Sequence, residues 1–204
     1  MPRQATTTIL GERSEFVRYK VEMPDFPKSL LNRAAKVRLL LMDCDGVLSD
    51  GTVYFLPTPD GSVTETKGFD CHDGIALRWI RDANIDTGII SGRGGLAVRV
   101  RANSLDMRYL VEDRTDKLAS FEEVLEDAGL KHSQVAYVGD DLTDLPLLRR
   151  AGLAIGPSNA RPEVKEISHW VTPSPGGHGA VRDVIELILK AQGHWEGILA
   201  RYGD

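Results

Sequence analysis

Short apolar runs alternate along this chain with stretches of helical periodicity, and that alternation constrains the fold more than any other feature. The run VRLLLM (37–42) is apolar except for Arg38 and shows no polar alternation, so it fits a strand covered on both faces, as inside a parallel sheet. DTGII (86–90), Tyr109–Val111, VAYV (135–138), LAI (153–155) and the pair Trp170–Val171 are further short strands of this kind. Between them the spacing predicts helices: a short one from Ser29, one over 73–84, one over 95–105, and one from Thr115 to Ala128 closed by Gly129. Three more are predicted near 143–150, 162–166 and 180–191. Strand and helix in this rhythm specify an α/β fold, a Rossmann-like three-layer sandwich with a central parallel sheet. Thr52–Phe55 and Val63–Thr66 flank PTPDG (57–61) and read as a small β-hairpin flap outside that sheet.

A chain of 204 residues, 42% apolar and 27% charged, suits one such domain, expected over 28–192. Residues 1–27 lack either periodicity and read as a flexible leader, and 193–204 as a C-terminal tail. The formal charge of −5 argues against a nucleic-acid or anionic-membrane partner. Two cysteines, Cys44 and Cys71, make no disulfide framework, no apolar run approaches the ~20 residues needed to cross a bilayer, and no secretion signal is found, so the expected location is the cytoplasm.

In a parallel sheet, chemistry gathers where the strands end. Those ends carry Asp43 and Asp45 after the first strand, Ser91 after DTGII, and Asp140, Asp141 and Asp144 after VAYV, with Lys117 opening a helix. Two carboxylates facing a second acidic group repel unless a cation lies between them, and oxygen-only ligands with a phosphate favour Mg²⁺. Lys117 and Ser91 add a positive charge and a hydroxyl donor, which a phosphoryl group needs. The set describes phosphoryl transfer through a carboxylate. A receiver domain uses similar residues, but its acidic groups all precede the lysine, whereas Asp140 follows Lys117.

DCDGVLSDG (43–51), IISGR (89–93), Lys117 in RTDKL and VGDDLTDLPLL (138–148) resemble, in order and spacing, the four motifs of the haloacid dehalogenase superfamily. KGFDCHDG (67–74) with Arg78, the pair Arg93 and Arg101, and GGHGAVRDV (176–184) are similar to its capless sugar-acid phosphatases, which act on 3-deoxy-D-manno-octulosonate 8-phosphate. The resemblance implies Asp43 as nucleophile and Mg²⁺ ligand, Asp45 as general acid/base and main-chain carbonyl ligand, and Asp140 as the other metal carboxylate. It implies that Ser91 and Lys117 hold phosphoryl oxygens, and that Asp70, Cys71, His72, Asp73, Gly74, Arg78, Arg93 and Arg101 contact substrate. Asp141 and Asp144 are expected as supporting groups or helix caps. The interval between Asp43 and Ser91 is filled by the hairpin and one helix, so no cap domain is expected.

The same resemblance implies a homotetramer in which the hairpin contacts the next subunit, and a place in lipopolysaccharide precursor synthesis. His72 and His178 stand where this family usually carries basic residues, replacing fixed charges with groups that titrate near neutrality. A nine-carbon ulosonate 9-phosphate or another phosphorylated sugar therefore stays open as substrate, and a non-catalytic oligomerisation module is the rival of another class.

Overall fold

The computed structural model describes residues 26–114 and 116–203, so almost all of the 1–27 leader and the first residue of the expected 115–128 helix lie outside the described residues. Six strands form one sheet: β1 (Leu39–Met42), β4 (Asp86–Ile90), β5 (Tyr109–Val111), β6 (Val135–Val138), β7 (Leu153–Gly156) and β8 (Trp170–Val171), in the order β5-β4-β1-β6-β7-β8. Every pairing is parallel, and β1 lies at the centre, Leu41 opposite both Gly88 and Tyr137. The antiparallel hairpin pairs β2 (Tyr54–Pro57) with β3 (Val63–Thr66).

Alternate residues of β1 enter opposite cores, because side chains along a strand point to opposite faces. Leu40 and Met42 pack with α1 (Lys28–Ala34), α2 (Cys71–Asp82), α3 (Leu96–Ser104) and α7 (Ala180–Ala191). Leu39 and Leu41 pack on the other side with α4 (Lys117–Ala128), α5 (Leu145–Leu148) and α6 (Pro162–Ile167). The chain leaves β1 toward β4 and β5, then returns through α4 to β6 on the opposite side of β1. Reversing direction across the sheet while keeping right-handed crossovers puts α2 and α4 on opposite faces. It also opens a crevice at the carboxyl end of β1.

Helix ends depart from expectation where side chains cap them. α2 begins at Cys71 because the Asp70 carboxylate accepts from the amides of His72 and Asp73. α4 begins at Lys117 because Asp116 accepts from Leu118 and Ala119, 3.1 Å each. The expected 143–150 helix is a 3₁₀ turn (Leu142–Asp144) running into the short α5. The tail holds a helix, α8 (Trp195–Ala200), whose Trp195 and Ile198 are buried and whose indole meets Trp79 edge-on at 5.9 Å. No described helix is long and apolar enough to cross a membrane.

α7 is the most deeply engaged helix, with seven buried residues between Ala180 and Leu189. Ile185 is fully buried, so Ile185→Ala should cost about 2–5 kcal/mol and lower Tm by roughly 10 °C, while Leu199→Ala at the exposed end of α8 should change little. Thermal melts check this; a loss below about 1 kcal/mol at Ile185 would show that α7 is not a core element.

Candidate active site

The crevice holds a cavity of about 570 Å³ whose lining includes Asp43, Asp45, Ser91, Arg93, Arg114 and Lys117. β1 delivers Asp43 directly: its amide donates to the Val138 carbonyl at 2.9 Å, a last parallel-sheet contact, and the next residues leave the sheet. Ser91 leaves β4 in the same way, its amide donating to Val111. The loop beyond Ser91 is held from below, since Gly94 and Gly95 donate to the carboxylates of Asp113 and Glu112, 2.9 Å each. Cys44, between the two acids, is fully buried, and burial pushes its thiol up to about 12, so it packs rather than reacts.

Lys117 joins the two acidic groups. Its Nζ lies 2.7 Å from Asp43 Oδ2 and 2.8 Å from Asp144 Oδ1. Asp43 Oδ1 accepts from the Cys44 amide at 2.7 Å. Asp144 is fully buried and saturated, accepting from Lys117, from Tyr137 Oη at 2.8 Å, and from the amides of Asp140 and Asp141. It supports the site from beneath. Asp141 caps the following turn, accepting from the Leu142 amide at 2.7 Å.

Asp140 is different, because its Oδ1 is buried with no hydrogen-bond partner. Its other oxygen lies over Gly46, where a Cβ would come within 2.2 Å of it, so the left-handed Gly46 (φ +83°) is the residue that fits. One oxygen each from Asp43, Asp140 and Asp144 falls within a 4.8 Å span. An orphaned carboxylate oxygen beside a second carboxylate, in an oxygen-only set, suits a hard divalent cation.

Electrostatics agree. Burial, then the Asp144 charge, raise Asp43 to about 6 against the opposing pull of Lys117. Burial and the charges of Asp144 and Asp43 raise Asp140 to about 7. Burial works to lower Lys117, but its two carboxylate partners outweigh that and raise it.

The glycine-rich 176–179 segment lies against the loop that follows Asp43. Gly177 donates to the Val47 carbonyl at 3.0 Å, and a Cβ on Gly176 would fall 1.9 Å from the Gly46 carbonyl oxygen. Asn159, unremarked in the sequence, joins the two loops: its amide donates to Gly46 O at 2.9 Å and accepts from the Gly176 amide at 2.7 Å.

Asp70, Cys71, His72, Asp73, Gly74, Arg78 and Arg101 do not line this cavity within one chain. Asp73 is buried and accepts from Gly179 at 3.4 Å and Arg182 at 2.7 Å, supplying the cap that α7 otherwise lacks. Gly74 leaves room for the Arg101 guanidinium, which would lie 2.6 Å from a Cβ there. Arg101 donates to the Asp70 carbonyl at 2.7 Å and lies over Phe69, while Cys71, His72 and Arg78 are exposed on α2.

Sequence reasoning has Arg114 and Lys67 inside the RTDKL and KGFDCHDG segments but gives neither a role of its own. Lys67 follows β3, and its Nζ donates to Asp45 Oδ2 at 2.8 Å. The available signal was alternation, which puts Glu65 and Lys67 on one face of the hairpin strand.

A carboxyl with a raised pKa binds its proton more readily folded than unfolded. The folded state therefore loses stability as pH climbs from near 3.8 through about 6 for Asp43 and about 7 for Asp140. Protein stripped of divalent ions should melt lower at about pH 7.5 than at about pH 5, and Asp140→Asn should narrow the gap. An unchanged gap in that variant would remove Asp140 from the account.

A family model described as haloacid dehalogenase-like hydrolase matches residues 77–185. The 3-deoxy-D-manno-octulosonate 8-phosphate phosphatase KdsC of Yersinia pestis is 40% identical over 168 residues, 82% of this chain and 88% of that protein. Among solved structures, a probable YrbI family phosphatase from Pseudomonas syringae pv. phaseolica superposes with a TM-score of 0.82 at 41% identity, covering 87% of this chain and 99% of that one. The 3-deoxy-D-manno-octulosonate 8-phosphate phosphatase of Moraxella catarrhalis, in complex with magnesium ion, phosphate ion and KDO, gives 0.80 at 36% identity, covering 85% and 97%. With its site on the crevice of the same sheet, this chain belongs to the haloacid dehalogenase-like hydrolases, in the family of the 3-deoxy-D-manno-octulosonate 8-phosphate phosphatases.

Proposed function

We propose that this phosphoric monoester hydrolase releases phosphate from 3-deoxy-D-manno-octulosonate 8-phosphate through an aspartyl-phosphate intermediate, in the synthesis of lipopolysaccharide precursors. The observation that carries the reading is Asp43, which lines an open cavity with one oxygen held 2.7 Å from Lys117 and stands beside Asp140, whose Oδ1 has no partner. A fixed carboxylate next to a buried cation can attack phosphorus without first being desolvated, and the ammonium offsets charge on the oxygens in flight.

In the first step an Asp43 oxygen forms a bond to phosphorus as the phosphorus–sugar oxygen bond breaks, and Asp45 gives its proton to the departing oxygen. In the second, water attacks the aspartyl phosphate, its proton passes to the Asp45 carboxylate, and Asp43 is regenerated with release of phosphate. Ser91 and Lys117 hold phosphoryl oxygens, and Arg93 on the cavity wall reaches the substrate. The carboxylates of Asp43 and Asp140 and the main-chain carbonyl of Asp45 would hold Mg²⁺, which when bound offsets charge on the phosphoryl group.

Among the described residues no cap closes the cavity, and Tyr54, Phe55, Leu56 and Val63 leave the hairpin with exposed apolar surface. That surface supports assembly with further copies, as a homotetramer. Asp70, Cys71, His72, Arg78 and Arg101 would then supply sugar-acid contacts to a neighbouring copy's site, with the buried Asp73 and Gly74 holding that segment in place.

Asp43→Asn should reduce phosphate release to background, on the order of 10³-fold or more, and chelation should do the same until Mg²⁺ is restored. Full turnover by the Asn protein would sink the nucleophile assignment. In a panel of the octulosonate 8-phosphate, nine-carbon ulosonate 9-phosphates and hexose phosphates, the eight-carbon acid should have the highest kcat/KM. Turnover of a nine-carbon acid alone would overturn the substrate and leave the reaction standing.

A further inference from the structure

We propose that Lys67 is a positioning residue for proton transfer, fixing the orientation of the Asp45 carboxylate from the β-hairpin. The inference rests on the reading of Asp45 as the group that protonates the leaving oxygen.

Asp45 is on a loop, outside any strand or helix, so nothing in the regular fold sets the plane of its carboxylate. Two contacts do. Lys67 Nζ donates to Oδ2 at 2.8 Å, and the Ser49 hydroxyl reaches Oδ1 at the longer distance of 3.2 Å. The lysine side chain is only 1% exposed, against 27% for Asp45. Burying an ammonium costs free energy unless a close opposite charge offsets it, and Asp45 is the one hydrogen-bond partner of Lys67 among the described residues. Such a group stays where its partner is. An exposed surface lysine would not fix an angle, because side-chain entropy and solvent screening dilute the contact.

Behind Lys67 the charges continue to alternate. Glu65 Oε1 lies 4.0 Å from Lys67 Nζ and 3.9 Å from Arg93 Nη1, and this oxygen is buried without a hydrogen bond of its own. Asp45, Lys67, Glu65 and Arg93 therefore run as a chain of opposite signs from the cavity floor to its wall. The hairpin supplies its two middle members. A carboxylate that must face the ester oxygen and then a water benefits from this restraint, because small misalignments cost large factors in rate.

The role differs from a contact to the sugar, and leaving-group chemistry separates the two. Lys67→Met and Lys67→Gln are compared with the unaltered enzyme in Mg²⁺ on three substrates: the octulosonate 8-phosphate, glycerol 3-phosphate, which has no carboxylate, and p-nitrophenyl phosphate. kcat/KM covers the steps through departure of the leaving group, and ratios between substrates cancel any difference in the fraction of folded protein. Both alkyl esters should lose on the order of 10²-fold in kcat/KM, while the aryl ester, whose phenolate departs without a proton, should change by less than about threefold.

Equal loss on all three substrates, or no loss on the alkyl esters, would overturn the proposal. Loss confined to the sugar-acid ester would assign Lys67 to substrate binding instead and overturn it equally. The unaltered enzyme is the separate control: if it releases no phosphate from any alkyl ester, the parent reading of Asp45 fails before Lys67 is in question.

Discussion

Lys117 held between Asp43 and Asp144 is the interaction on which the remaining architecture depends. Three carboxylates brought together at the end of a sheet in a low-dielectric crevice cannot all remain ionised without compensation. One ammonium, 2.7 and 2.8 Å from two of them, supplies part of it. Asp144, fed also by Tyr137 and two backbone amides, is a saturated acceptor that fixes the lysine in place. Asp140 is left over, its Oδ1 unpartnered and its proton held up to about 7, and the deficit at that atom is where a cation belongs. The sheet makes this possible by bringing residues from distant parts of the chain to one edge at fixed spacing.

The parts of the site that sequence reasoning reached are those attached to strand ends. Asp43, Ser91 and Asp140 each leave an apolar run, and Lys117 opens a helix with strong periodicity, so local pattern and topology place them together. Asp70–Gly74 reads in the sequence as a substrate segment, and within the chain Asp73 also caps α7 and Gly74 makes room for Arg101. Those partners lie on other helices and cannot be inferred from spacing. Lys67 and Asn159 receive no role from the sequence for the same reason: each acts through partners far along the chain, Asp45 for the lysine and Gly46 for the asparagine. In the tail, Trp195 and Ile198 carry the α8 signal at a spacing of three, but six residues are too few for periodicity to stand out.

The candidate site draws on two parts of the molecule. The carboxyl end of the sheet carries Asp43, Ser91 and Asp140, while the hairpin carries Lys67 and the α2 terminus carries the exposed Cys71 and His72. Exposed Tyr54, Phe55 and Leu56 leave both faces of β2 open to solvent, and Lys67 at the base of the hairpin turns inward. A change in how the hairpin packs would thus reach Asp45 with no substitution in the four motif segments.

The Asn159 amide and the tight approach of Gly176 to Gly46 bind residues more than a hundred positions apart. As the chain emerges from the ribosome, β1 appears long before β6, its central neighbour, and the clamp from Gly176 is made almost last. A nascent chain carrying Asp43 and Asp45 accordingly has the acids without the geometry. The two loops are therefore joined only once the chain has been made as far as α7, the last long core helix, whose N-terminus Asp73 ties down.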